Sequence, residues 1–294
     1  MHYLLCSAKL AVKKGIAEGE IESYFTKLSD CIILSLLEAL HEVVLNISTV
    51  TQRLPDVLWK GNEATAEICA FMLGELDDCL QICQPLLSEG QLRKIVDEVK
   101  HVGTESTNRK RKLKERAKSE DFDAEEDELL SEEKEQEGKI LVHVGLVLTT
   151  LIETFKAAFL PFFDELMSSY LIPMWGKEMT VQERCTPFFI FDHLLEECPE
   201  VALKYSDEFL PLLLDASNDE SPAVRQCALY GLVLYAEYGG YDFKPVVKEA
   251  ISRINVVILH FRAREPENES AFDNAVYALG KTFQFHWENI DSSA

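Results

Sequence analysis

The sequence is poor in the residues that make tight turns. Only 13 Gly and 10 Pro occur in 294 residues, which is too few for the frequent turns of an all-β fold. Alternation of polar and apolar residues over the length of a strand is also missing. The chain is therefore expected to lack a sheet and, with 47% hydrophobic residues, to build a substantial helical core.

The sequence also lacks the patterns that carry out catalysis. It has no GxSxG, no HExxH and no glycine-rich phosphate loop followed by lysine. None of the seven His pairs with a nucleophile in a known pattern, and the eight Cys do not fall at zinc-binding spacing. We expect no enzyme activity, no metal and no cofactor, and we interpret the cysteines as buried residues in a reducing compartment.

Basic residues are scarce. The chain has 29 Lys and Arg against 51 Asp and Glu, a net charge of -22. Direct binding to nucleic acid is not expected, because phosphate contacts need clustered basic side chains. Basic proteins and basic localisation peptides are the favoured partners. The longest apolar runs fall short of the roughly 20 residues that a membrane span needs, so no membrane insertion is expected.

The sequence does contain helical periodicity, repeated in pairs of helices. The clearest pair lies between Glu200 and Tyr238 and is about 40 residues long. Arg184 in one unit is followed 41 positions later by Arg225 in the next. Helix pairs with a period near 40 are typical of HEAT repeats. The expected fold is all-α, an alpha-alpha superhelix of the HEAT or armadillo type.

Local signals predict where these helices begin and end. Thr180 with Glu183 predicts a capping box. Ser221 is predicted to cap the second helix of the clearest pair, with Pro222 at its first position, and Gly239 to end it. Pro187 lies inside a predicted helix and is expected to kink or shorten it.

The predicted organisation has three parts. Residues 1–108 form irregular HEAT-like helix pairs with an insertion at 44–62, where β-branched residues, Pro and Gly replace the helical pattern. Residues 109–138 form a charged, largely acidic insertion. Residues 139–294 form regular HEAT repeats.

The acidic part of the charged insertion, hereafter the acidic strip, is the first candidate binding site. It comprises Glu120, Asp121, Asp123, Glu125, Glu126, Asp127, Glu128, Glu132 and Glu133. One interpretation is a docking strip for basic peptides, with an affinity that falls as salt screens the charges. The alternative is a solvated linker, because such runs are often disordered.

A basic run, 108–118, precedes the acidic strip. Alone it has the composition of a nuclear localisation signal or a nucleic-acid patch. Because the chain is so acidic, the favoured interpretation is a charged helix end that interacts with the neighbouring acidic residues.

Three charged residues are candidates for linking repeats. Arg184 and Arg225 occupy the same place in successive units, and Asp219 lies in the turn before the second helix of its pair. In stacked helix pairs such charges can join one repeat to the next, which is a structural role. The alternative is direct contact with a ligand.

Several blocks resemble the importin-beta karyopherins. They are 221–240 (SPAVRQCALYGLVLYAEYGG), 189–198 (FIFDHLLEEC), 159–166 (FLPFFDEL) and 273–286 (DNAVYALGKTFQFH). Residues 115–137 are similar to the acidic insertion of the importin-five subtype, also called importin beta-three, including its plant members. The resemblance covers about four fifths of the chain, which is similar to an internal piece of the longer family proteins.

The resemblance implies a nuclear transport receptor present in cytoplasm and nucleus. Its implied partners are basic import cargo or localisation signals, Ran bound to GTP, which releases cargo, and nucleoporins. Residues 44–62 have no counterpart that the resemblance places. The alternative function is a HEAT scaffold that assembles proteins without transporting them.

Neutralising the acidic strip tests its role. Converting Glu125, Glu126, Asp127 and Glu128 to their amides is expected to weaken binding of a basic peptide several-fold at low salt, because the attraction depends on these charges. Fluorescence anisotropy with a labelled lysine-rich peptide measures the change. An unchanged affinity would mean that the strip is only a linker.

Overall fold

The computed structural model describes Leu34, Ser35, Glu38, residues 59–83, Leu87, and residues 89–117, 124–176 and 178–290. Every regular element in these ranges is a helix, and no strand occurs among them. The expected all-α class is therefore confirmed. Most of the insertion predicted at 44–62 lies outside the described residues, and residues 59–62 begin a helix.

The chain divides into two units, Met1–Thr154 and Phe155–Ala294. The described part of the first unit contains α1 (Trp59–Cys83), α2 (Glu89–Arg116) and α3 (Ala124–Phe155), which reaches the boundary. Its apolar side chains recur at helical spacing and are excluded from water. They include Leu73, Leu76 and Leu80 on α1, Ile95 and Val99 on α2, and Ile140, Val144 and Leu148 on α3.

The second unit begins with short elements and continues as helix pairs. After a 3-10 turn, it contains α4 (Leu160–Leu166), α5 (Val181–Glu197), α6 (Pro199–Ala202), α7 (Ser206–Ala216), α8 (Pro222–Tyr238), α9 (Gly240–Phe243), α10 (Val247–Ile258) and α11 (Glu269–His286). A π-helical turn, Met167–Leu171, and a 3-10 turn, Ile172–Trp175, follow α4. The second helices of successive pairs, α5, α8 and α11, stack side by side. The first helices, α7 and α10, pack behind them.

The predicted helix ends are mostly correct. Thr180 and Glu183 form the capping box before α5, with Thr180 N–H donating to Glu183 Oε2 at 2.7 Å and Glu183 N–H donating to Thr180 Oγ1 at 3.3 Å. The helix α8 ends at Tyr238, directly before Gly239, as predicted. Gly240 has a positive φ of 47°, a conformation that glycine adopts without a steric penalty.

Two local predictions were wrong in part. Ser221 lies directly before α8 and Pro222 is its first residue, as predicted, but the Ser221 side chain makes no capping hydrogen bond. The Ser221 N–H donates to Asp219 Oδ1 at 2.9 Å. Pro187 does not shorten its helix, since α5 continues through it to Glu197. Proline removes one intrahelical donor, and the buried contacts of Phe188, Phe191 and their neighbours stabilise the helix beyond it.

Aromatic side chains fill the core between the helix pairs of the second unit. The rings of Phe191 on α5 and Phe209 on α7 stack on each other. The ring centre of Tyr235 on α8 lies 6.1 Å from the ring centre of Phe191. Trp175 meets Phe209 edge-on at 4.6 Å. Large rings contribute both buried area and directional contacts, so they bind first and second helices into one layer.

Much of the charged segment 109–138 is part of helices, and its basic part is a helix end, which was the favoured interpretation of residues 108–118. The helix α2 continues through the basic residues to Arg116, and α3 begins at Ala124. Arg109 Nε and Nη2 donate to the carboxylate of Glu137 at 2.6 and 3.0 Å, and both residues are buried. Burial excludes water from this pair, so its two charges stabilise each other where a lone charge would be costly. The proposed domain boundaries remain a prediction.

One helical stretch, Leu130–Trp175, is long and apolar enough to cross a membrane, with a mean hydropathy of 1.6 in its most apolar window. In this structure 56% of that window is buried against the protein. Core helices of globular proteins have the same character, so the stretch is weak evidence for a membrane span.

The buried Arg109–Glu137 pair leads to a stability prediction. Glu137→Ala is expected to lower the free energy of unfolding by about 3 kcal/mol, because it leaves a buried guanidinium unpaired. Urea unfolding of the full chain, followed by circular dichroism, measures the loss. The double variant Arg109→Met with Glu137→Leu should recover most of it. A double variant as unstable as Glu137→Ala would contradict this explanation.

Candidate interaction surface

The structure brings the three predicted repeat-linking residues together. Arg184 on α5 donates from Nη1 to Asp219 Oδ1 at 3.2 Å and from Nη2 to Asp219 Oδ2. Arg225 on α8 donates from Nη1 to the backbone oxygens of Asp219 at 2.6 Å and Glu220 at 3.0 Å. A planar guanidinium can satisfy several acceptors at once, so these two arginines enclose the turn between α7 and α8.

The same hydrogen bonds continue into the next helix pair. Arg225 Nη2 also donates to Asn268 Oδ1, directly before α11, and Asn268 Nδ2 donates to the backbone oxygen of Arg262 at 3.2 Å. Burial alone would raise the pKa of Asp219, but hydrogen bonds from Arg184 and from the Ser221 N–H hold it below its ordinary value. We refer to Arg184, Asp219, Arg225 and Asn268 as the inter-repeat ladder. Their contribution to stability remains a prediction.

The acidic strip is only partly described. Glu120, Asp121 and Asp123 lie outside the described residues, and the side chains of Glu125, Glu126, Asp127 and Glu128 on α3 are likewise outside them. Glu132 is exposed, whereas Glu133 is buried. Glu132 and Glu133 are consecutive residues of a helix, so their side chains point in different directions. The binding role of the acidic strip remains a prediction.

A second acidic surface lies on the stacked second helices and was not found from the sequence. It consists of Glu196 on α5, Tyr230, Glu237 and Tyr238 on α8, and Tyr277 on α11, and we call it the tyrosine–carboxylate face. Tyr238 is 37% and Tyr277 51% exposed, and Glu196 is exposed. The sequence spacing could have indicated this face, since Glu196 and Glu237 are 41 positions apart, the same interval that separates Arg184 from Arg225.

The environment of this face raises the pKa of two of its phenols. Partial burial raises the pKa of Tyr230, and the charges of Glu196 and Asp192 raise it further. Burial followed by Glu237 and Glu196 raises the pKa of Tyr238 in the same way. Neutral phenol rings next to carboxylates present both a π surface and a negative charge, which together suit an ammonium or guanidinium group.

A buried acid lies behind the face. Asp192 of α5 is 3% exposed, and its Oδ1 has no hydrogen-bond partner. Burial raises its pKa well above the ordinary value, with Cys227 and Glu196 adding to the effect. A Cβ on Gly231 of α8 would lie 2.6 Å from Leu213 Cδ2 and 2.9 Å from Asp192 Oδ1. A larger residue there would have to displace the ends of the Leu213 and Asp192 side chains.

The comparisons with known proteins agree with this architecture. Residues 68–172 match the family Importin repeat 6. A probable importin-5 homolog of Dictyostelium discoideum is 25% identical over 142 residues, covering 47% of this chain and 13% of that protein. Crystal structures of Kap121p superpose with a TM-score of 0.62 in the complex with Ste12p and 0.61 in the complex with the SUMO protease Ulp1p, each at 14% identity. They cover 90% and 97% of this chain and 22% and 28% of the Kap121p chains.

These likenesses show that the chain has the fold of a HEAT-repeat solenoid, which confirms the predicted fold class. The chain matches the Importin repeat 6 family over residues 68–172. It spans less than a third of the length of the relatives to which it is similar. The resemblance to plant members remains a prediction.

The hydrogen bonds of the inter-repeat ladder predict that the free energy of unfolding depends on the Asp219 carboxylate. Asp219→Ala is expected to lower the free energy of unfolding by about 2 kcal/mol, because it leaves the Arg184 guanidinium and the Ser221 N–H without their acceptor. Thermal and urea unfolding measure the change. Glu220→Ala, one residue away with an exposed side chain, is the matched control. Equal stability of the two variants would show that the ladder contributes nothing.

Proposed function

We propose that this chain acts in nuclear import as part of a transport receptor, in both cytoplasm and nucleus, and performs no catalysis. It binds basic cargo proteins or their localisation signals, and Ran bound to GTP and nucleoporins are its further partners. The tyrosine–carboxylate face is the main cargo-binding surface in the second unit. The acidic strip is a second attachment point for the same basic partners.

The observation that carries the proposal is a lysine of this chain that already occupies the face. Lys281 Nζ donates to Glu237 Oε2 at 2.7 Å and lies 5.5 Å from the ring centres of Tyr277 and Phe285. The hydrogen bond to Glu237 raises the pKa of Lys281. Lys281 therefore models how a cargo lysine would bind, with one carboxylate for the charge and aromatic rings beside it.

The relatives support the same class of partner. Crystal structures of Kap121p include complexes with Ste12p, Pho4p, Nup53p and RanGTP. Those complexes are complexes of Kap121p, and because this chain shares its fold we propose the same types of partner here. The net charge of -22 adds long-range attraction for basic proteins.

The second candidate function is a HEAT scaffold that assembles proteins without releasing them through Ran. It is favoured by large exposed apolar side chains on the second unit, among them Leu259, Phe261 and Trp287 at 80%, 90% and 66% exposure. A scaffold held by such residues should keep its partner in 0.5 M salt, whereas an ionic cargo surface should release it, because salt screens exposed charges at that concentration.

Charge-neutral variants test the face. Glu196→Gln with Glu237→Gln is expected to weaken binding of a fluorescent lysine- and arginine-rich localisation peptide about 5-fold at low salt, because two partly exposed ionic contacts are lost. Glu200→Gln with Glu220→Gln makes the same charge change at exposed positions outside the face. Lys281→Gln should instead tighten binding about 2-fold by vacating Glu237 and Tyr277, with Lys139→Gln as its control.

Ran loaded with GTP distinguishes the two functions. A transport receptor should release a bound basic cargo protein when Ran-GTP is added and keep it when Ran-GDP is added. If Glu196→Gln with Glu237→Gln lowers the affinity for the basic peptide no more than Glu200→Gln with Glu220→Gln does, the tyrosine–carboxylate face is not the cargo-binding surface. Salt-resistant capture that ignores both forms of Ran would favour the scaffold.

A further inference from the structure

Two thiols meet where α5 packs against α8. Cys185 on α5 and Cys227 on α8 are 42 positions apart, and the Cys227 thiol donates a hydrogen bond to the Cys185 sulfur. Both residues are only partly buried, and neither is in a disulfide. Among the cysteines whose side chains the structure describes, Cys69 and Cys198 are buried as expected. This pair is therefore the part of that set that small reagents in solution can reach.

The two helices approach closely beside the thiols. One turn after Cys227, α8 carries Gly231, where a Cβ would lie 2.9 Å from Asp192 Oδ1 of α5. Asp192 follows Cys185 by two turns on the same side of α5. No large side chain of α8 separates the helices there, so the thiols lie on a narrow seam. A disulfide needs its two Cβ atoms within about 4.5 Å of each other, which a narrow seam favours.

The other end of the seam is fixed by the inter-repeat ladder. Arg184, directly before Cys185, donates to the carboxylate of Asp219 in the turn before α8. Arg225, two residues before Cys227, donates to the backbone oxygen of the same Asp219 at 2.6 Å. The cysteines are thus placed opposite each other by polar contacts on one side and by close helix packing on the other.

The two thiols differ in reactivity. The hydrogen bond from Cys227 lowers the pKa of the Cys185 thiol, burial opposes this effect, and the Arg184 guanidinium lowers the pKa further. The same hydrogen bond and burial raise the pKa of the Cys227 thiol. Because the thiolate is the nucleophilic form of cysteine, Cys185 is the attacking residue and Cys227 stays protonated beside it.

We propose that Cys185 and Cys227 are a peroxide-sensitive thiol pair that forms a reversible disulfide between α5 and α8. The oxidant is hydrogen peroxide or another hydroperoxide. The bond ties two successive helix pairs together on the seam that the inter-repeat ladder already joins. It involves none of the residues of the tyrosine–carboxylate face or the acidic strip, and it does not rest on the proposed role in transport.

The reaction has two steps. The Cys185 thiolate attacks one peroxide oxygen, so an S–O bond forms, the O–O bond breaks, and the released hydroxide takes up a proton and leaves as water. The Cys227 sulfur then attacks the Cys185 sulfur, so an S–S bond forms, the S–O bond breaks, and the hydroxyl group leaves with the Cys227 proton as a second water. The two thiols are oxidised and one peroxide is reduced. A dithiol reductant reverses the bond by exchange.

Peptide mapping of the unaltered chain tests the pairing. The full chain is reduced, freed of reductant and treated with a small molar excess of hydrogen peroxide, and remaining thiols are blocked with N-ethylmaleimide. Cleavage by trypsin and Glu-C separates Cys185 from Cys198, because Glu196 and Glu197 lie between them. Mass spectrometry without reduction is expected to find the Cys185 peptide linked to the Cys227 peptide, and dithiothreitol should release both.

Single variants assign the two roles. Cys227→Ser keeps a hydroxyl group beside Cys185 but removes the second thiol, so Cys185 sulfenic acid should accumulate and be trapped by dimedone. In Cys185→Ser, dimedone should label Cys227 about 10-fold more slowly, because burial still disfavours its thiolate. Cys198→Ser, which removes a buried thiol outside the pair, should form the linked peptide as the parent chain does.

Thermal unfolding measures what the bond does to the fold. Oxidation is expected to raise the Tm of the parent chain by about 5 °C, because the closed loop restricts the unfolded chain, and to leave Cys185→Ser unchanged. Three results would overturn the proposal. They are the absence of the linked peptide, dimedone labelling of Cys227 in Cys185→Ser as fast as that of Cys185 in Cys227→Ser, and an equal rise in Tm for the parent chain and Cys185→Ser.

Discussion

The arrangement of the second unit depends on charges that are satisfied between helix pairs instead of within them. Asp219 accepts hydrogen bonds from Arg184 of the preceding pair and from the backbone of its own turn. Arg225 bonds the same turn and reaches Asn268 of the following pair. Because each group has partners in more than one pair, the polar end of the layer stays satisfied only while the pairs remain in register.

The alignment of successive helix pairs shapes both sides of the layer that they form in the second unit. The second helices approach closely at Gly231, where a larger side chain would have to displace the ends of the Leu213 and Asp192 side chains. Close approach places carboxylates and tyrosines from three successive helices on one face, and Lys281 interacts with that face across two of them. On the other side, the first helices α7 and α10 leave a groove with an apolar floor and an acidic rim. The repeats therefore create two surfaces of similar charge and different chemistry, one aromatic and one aliphatic.

The charged segment between α2 and α3 shows where reasoning from composition fails. The basic run was expected to be a charged helix end and is the end of α2, whereas the acidic run was expected to stay in water and instead includes the start of α3 with the buried Glu133. Arg109 and Glu137 are 28 positions apart, so no local pattern reveals that they meet. The pairing becomes visible only when the helices pack and bury both groups.

Sequence periodicity alone determined that this chain is helical, that its helices come in pairs near 40 residues long, and that Arg184 and Arg225 recur 41 positions apart. Those features repeat along the chain and depend on local spacing, so they can be read without coordinates. The capping box at Thr180 and the helix end at Tyr238 were predictable for the same reason. Tertiary packing decided which charges are buried, that α5 continues through Pro187, and that Tyr230, Tyr238 and Tyr277 share a face. These outcomes depend on contacts between residues distant in sequence, whose energies are set by burial and geometry and leave no local pattern in the chain.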